Sequence, residues 1–105
     1  MSAGLRLDLS EDDRSVVLAI LRAYLPANAI VWVFGSRTTG RARPYSDLDL
    51  AIDAGRPLTF DQTAQLRDAF TESDLPYRVD IADWRAISDA FRGLIAATRV
   101  RLSNG

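Results

Sequence analysis

The 105-residue chain contains no cysteine, no histidine and no lysine. Each absence removes a class of chemistry. Without cysteine there is no disulfide framework and no thiol nucleophile. Without histidine there is no imidazole base, no Ser-His-Asp arrangement and no His-ligated zinc. Acid–base work therefore falls to carboxylates, tyrosine or arginine. Arginine supplies all 13 basic side chains. Codon usage in a GC-rich genome is the plain explanation. The functional one is that some of these planar guanidinium groups grip phosphate.

An excess of either charge is also missing. The net charge is −1, so the chain is no polycationic nucleic-acid binder and direct nucleic-acid binding is not expected. No apolar signal core opens the sequence, and no run approaches the ~20 apolar residues that span a bilayer. The expected location is cytoplasmic, with no membrane partner.

What is present is an ordinary globular balance, with 48% hydrophobic and 26% charged residues. That fits one domain over residues 1–105. Ser10 stands before Glu11-Asp12-Asp13, a suitable helix start. Val17, Ile20, Leu21 and Tyr24 then form one apolar stripe, ended by Pro26. "AIVWVF", from Ala29 to Phe34, reads as a strand broken by Gly35. Thr38 to Pro44 reads as a loop or one short helical turn. "SDLDLAI", from Ser46 to Ile52, alternates and reads as a second strand.

Thr59 and Gln62 resemble a capping box ahead of a helix bearing Leu66, Ala69 and Phe70. "LPYRVDIAD" contains a third strand, about Tyr77 to Ala82. A last helix is expected to carry Trp84, Ile87, Phe91 and Leu94, with Asp83 near its start. The tail "ATRVRLSNG" can hold a short edge strand. The fold class that follows is α+β: a small mixed sheet with helices packed on one face.

Alternation sorts the side chains of the two later strands. Leu48, Leu50 and Ile52 point to the helices, and Asp47 and Asp49 point away. Val79 and Ile81 join the core, and Arg78 and Asp80 point away. Asp53 reads as solvent-facing beyond the strand end. If the two strands are neighbours, three carboxylates share one uncovered patch. An antiparallel sheet often solvates one face, yet aspartate is a poor strand former. Two such charges ~4 Å apart repel by about 4 kcal/mol at an effective dielectric near ~20. A hard divalent cation offsets that, and oxygen ligation suits Mg²⁺ or Mn²⁺. On the strand pattern alone, a metal site and a solvated face are equally good readings.

Gly35-Ser36 adds to the first reading. The dipeptide alone is most often a turn. A strand that ends there can also present backbone N–H groups and a hydroxyl to phosphate, with glycine allowing close approach. A phosphate cradle beside a carboxylate cluster describes a nucleoside triphosphate site.

Gly35-Ser36, ten residues, then Asp47-Leu48-Asp49 resembles the signature of the polymerase-β-like nucleotidyltransferases. The wider "FGSRTTGRARPYSDLDLAI" is similar to the minimal nucleotidyltransferase (MNT) family, and "YRVDIAD" to that family's third-carboxylate strand. The resemblance implies that Gly35 and Ser36 hold the β- and γ-phosphates of ATP. Arg37, directly after that serine, is expected to contact the nucleotide triphosphate or the partner. It implies that Asp47, Asp49 and Asp80 are catalytic and ligate two Mg²⁺ ions, and that Asp80 accepts the proton of the attacking hydroxyl. Arg41 and Arg43 are expected in solvent, and Trp32 and Trp84 in packing. Family members of this kind are antitoxins that move AMP from ATP to a tyrosine of a cognate HEPN-domain ribonuclease toxin. Two alternatives stay open: a non-catalytic antitoxin acting by complex formation, and nucleotidyl transfer to a small molecule.

Overall fold

The structure is a computed structural model and describes residues 4–102. Helix α1 (Glu11–Tyr24) starts where the Asp13 N–H donates to Ser10 Oγ at 3.1 Å. Three acidic residues in its first turn suit the positive helix end. Leu25 ahead of Pro26 is extended, and the helix stops. Val17, Leu18 and Leu21 form its buried stripe, while Tyr24 is exposed.

Four strands follow in one sheet: β1 (Ile30–Phe34), β2 (Leu48–Asp53), β3 (Val79–Asp83) and β4 (Val100–Arg101). Their spatial order is β3-β2-β1-β4. β1 runs antiparallel to β2 and β4, and β2 runs parallel to β3. A parallel pair needs a crossover. Helix α3 (Phe60–Glu72) provides it and begins with the expected capping box. The Gln62 N–H donates to Thr59 Oγ1 at 3.0 Å, and the Thr59 N–H donates to Gln62 Oε1 at 2.9 Å. The sheet is mixed and the class α+β, as expected.

The pairs Val31↔Ile52 and Val33↔Leu50 put those four side chains on one face. They pack with Val17, Leu21, Leu66 and Phe70 into the core, so α1 and α3 cover that face. The opposite face is sheltered towards one end. Trp84 lies 5.1 Å from Trp32 between ring centroids, and the Arg99 guanidinium stacks over both rings. Ala51, opposite Trp32 in the register, is fully buried.

Several expected boundaries move. β2 begins at Leu48, because Ser46 is tied back into a turn. The Ser46 N–H donates to the Arg43 carbonyl at 3.0 Å, and the Arg43 N–H to Ser46 Oγ at 2.8 Å. Asp47 therefore stands just ahead of the strand. Asp53 is not a solvent-facing residue past the end of β2. It is the last residue of the strand, and its carboxylate pairs with Arg85 at 2.7 Å.

Asp83 ends β3 rather than starting a helix. Its carboxylate accepts the Leu58 N–H at 2.8 Å and the Arg85 N–H at 3.1 Å. The last helix, α4 (Asp89–Thr98), is capped by Ser88, leaving Trp84 and Ile87 in the preceding turn. The expected edge strand exists as β4, anchored by the Leu102 N–H on the Val31 carbonyl at 2.9 Å.

Candidate active site

The ladder brings Asp49 of β2 directly beside Asp80 of β3, and opposite Phe34 of β1. Cross-strand partners share a face, so the two carboxylates stand on the sheet face away from α1 and α3. Immediately after Phe34, Gly35 adopts φ +81°, where side chains are disfavoured. A β-carbon there would come within 2.7 Å of Asp49 Oδ2. The Gly35 backbone thus lies directly against the Asp49 carboxylate.

Ser36 opens the single-turn helix α2 (Ser36–Thr39) and is partly exposed. The turn is braced by the Gly35 carbonyl, which accepts the Thr38 N–H and the Thr38 hydroxyl, both at 3.1 Å. The Gly35 N–H donates to Thr98 Oγ1 at 3.3 Å. Helix α4 therefore helps to hold the Gly-Ser corner, a role that its sequence does not announce.

Asp49 is half-buried, and its carboxyl is pushed up to about 6. Burial is the main cause, then the charges of Asp80 and Asp47, with Arg78 opposing them. Arg78 spans the other two acids: Nη2 lies 3.1 Å from Asp47 Oδ2, and Nε lies 3.3 Å from Asp80 Oδ1. Among the described residues, no three acidic side chains form a ready metal cage as they stand. The donor set nevertheless suits a hard divalent cation: three carboxylates that offer only oxygen ligands, one of them raised by burial and by the charges of the other two. A cavity of about 440 Å³ adjoins Asp49 and Asp80, walled by Phe34, Ile87, Phe91 and Arg67.

Arg37 departs from expectation. It is only 5% exposed, and its guanidinium turns to backbone carbonyls rather than to the Gly-Ser corner. Nη2 donates to Ser46 O at 2.7 Å and Pro44 O at 3.3 Å, Nε to Ser46 O at 3.2 Å, and Nη1 to Asp8 O at 3.1 Å. It also stacks 4.1 Å over the Tyr77 ring, whose hydroxyl donates to Asp13 at 2.7 Å. Burial first, then Asp13, raises the Tyr77 phenol well above its usual value. So Arg37 anchors the loop through backbone carbonyls. It fixes Pro44 to Ser46 and with them the approach to Asp47.

The chain before α1 joins in: the Asp8 N–H donates to the Arg37 carbonyl at 2.7 Å, and the Arg6 N–H to the Thr38 carbonyl at 3.2 Å. No residue type in the sequence signals this role, because the acceptors are main-chain carbonyls. Arg41 and Arg43 are exposed, as expected.

A Gly-Ser corner packed on a carboxylate, a carboxylate pair in register and a mixed four-stranded sheet point to a nucleotidyltransferase. The profile of the family described as "Polymerase beta, Nucleotidyltransferase" matches residues 18–104, and the chain belongs to that family. It is 45% identical over 95 residues to the "Probable protein adenylyltransferase MntA" of Haemophilus influenzae, covering 90% of this chain and 82% of that one.

Solved structures share the fold. A toxin–antitoxin crystallised with AMP-PNP aligns with TM-score 0.74 at 24% identity, over 89% of this chain and 74% of that one. An MNT antitoxin in complex with tri-AMPylated HEPN toxin of Shewanella oneidensis aligns with TM-score 0.67 at 22% identity, over 88% and 70%.

Proposed function

We propose that this chain is an antitoxin that transfers AMP from ATP to a tyrosine of a cognate HEPN-domain toxin, with Mg²⁺ as the metal. The observation that carries this reading is the in-register pairing of Asp49 with Asp80, with the Gly35 backbone against Asp49. The likeness to a protein adenylyltransferase over 90% of the chain supports the choice of acceptor class.

In this reading Gly35 and Ser36 hold the β- and γ-phosphates. Asp47, Asp49 and Asp80 hold the divalent cations. Bound there, Mg²⁺, or Mn²⁺ in its place, offsets the charge that develops on the attacking oxygen and on the leaving pyrophosphate. The cavity beside Asp80 admits the acceptor phenol. Its oxygen forms a bond to the α-phosphorus, the bond to pyrophosphate breaks, and the Asp80 carboxylate takes the phenolic proton. Arg37 keeps the loop that delivers Asp47 in place.

The test is intact-mass spectrometry of the toxin partner after incubation with this protein, ATP and Mg²⁺. Each transferred AMP adds about 329 Da, by covalent arithmetic. The gain should vanish with Asp49→Ala. Tight association without a mass gain would favour neutralisation by complex formation. Turnover of small-molecule hydroxyl acceptors alone would favour the remaining alternative.

A further inference from the structure

Arg78 stands one residue ahead of β3, and its backbone is fixed: its carbonyl accepts the Leu48 N–H at 2.9 Å. Its side chain is not enclosed, with 74% of it exposed. From that fixed root the guanidinium reaches Asp47 at 3.1 Å and Asp80 at 3.3 Å. One cation therefore bridges two of the three acids, one from just ahead of β2 and one from β3. A divalent cation gathered by the same acids would need the position that the guanidinium fills.

Exposed pairs of this kind are individually weak, so they can be exchanged. The arginine side chain can rotate away without any change in the ladder, since its anchoring bond is made by the backbone. We propose that Arg78 is a tethered counter-cation: it occupies the carboxylate cluster of the metal-free protein and is displaced when a divalent cation binds. It is a positioning residue whose ion pairs oppose metal entry. The inference rests on the reading that Asp47, Asp49 and Asp80 hold a divalent cation.

The test is titration of Mn²⁺ into the full chain without nucleotide, with free Mn²⁺ followed by electron paramagnetic resonance. Arg78→Met and Arg78→Gln should each bind Mn²⁺ roughly threefold to tenfold more tightly than the wild type, from the loss of two exposed pairs. Arg78→Lys should return towards the wild-type affinity, since it keeps the charge. Unchanged or weaker binding in both neutral variants would overturn the proposal. Asp49→Asn separates the two layers. If it abolishes Mn²⁺ binding while the Arg78 variants match the wild type, only the counter-cation role fails. If the wild type and Asp49→Asn bind alike, or neither binds, the cation site itself fails and the proposal with it.

Discussion

Gly35 and Asp49 touch through a space in which no side chain fits: a β-carbon on the first would lie 2.7 Å from a carboxylate oxygen of the second. The corner after β1 and the middle of the carboxylate cluster are therefore one packed unit. Gly35→Ala should strain the backbone by roughly 1–3 kcal/mol, since φ +81° with ψ −146° is a conformation nearly confined to glycine, and also push Asp49 aside. Urea unfolding should show a loss of at least that size. Mn²⁺ affinity should fall in the same variant. A variant that keeps full stability and full metal affinity would mean that the contact yields freely.

Asp49 should also make the metal-free protein sensitive to pH. Its folded value, near 6, lies above the unfolded aspartate value near ~3.9. The folded state therefore takes up the proton first. Stability from this group rises as pH falls through about 6 and is complete near ~4. Asp49→Asn removes the penalty, so in chelator the variant should be more stable than the wild type at pH 7. Half-exposure reduces the gain to about 1 kcal/mol. The two proteins should converge near pH ~4. Denaturant midpoints across that range measure the difference, and a wild type as stable as Asp49→Asn at pH 7 would contradict it.

Arg37→Lys should cost stability, of order 2 kcal/mol, because one ammonium cannot reach the carbonyls of Asp8, Pro44 and Ser46 together. Thermal melting checks this. A triphosphate contact would behave differently, with ATP affinity falling at unchanged melting temperature.

Asp80→Ala should abolish transfer to the partner while leaving AMP-PNP binding within a few-fold of the wild type. The motive is its place at the cavity beside the cluster, on the strand farther from the Gly-Ser corner. Calorimetric titration with AMP-PNP, set against intact-mass measurement of the partner, separates the two effects. Equal loss of both would remove Asp80 from the nucleophile side.

Much of the carboxylate geometry was legible because it depends on local signals. A two-residue period puts Leu48 and Leu50 on one face and Asp49 on the other, and Gly35 interrupts an apolar run. Strand ends were less legible because distant partners set them. Asp83 belongs to β3 because its carboxylate holds the Leu58 N–H, a contact no spacing rule reveals. Trp84 and Ile87 fit helical spacing with Phe91, yet the Ser88 cap starts α4 after them. The anchoring role of Arg37 was not legible because its acceptors are main-chain carbonyls, which carry no residue signature.

The reciprocal pairing of Asp8 with Arg37 has a practical side. The family profile begins at residue 18, but the support beneath the loop that leads to Asp47 begins ten residues earlier, at Asp8. A chain trimmed to the profile would keep all three acids and lose the strap under the arginine that positions one of them. A bulky fusion at the front end would pull on that same strap.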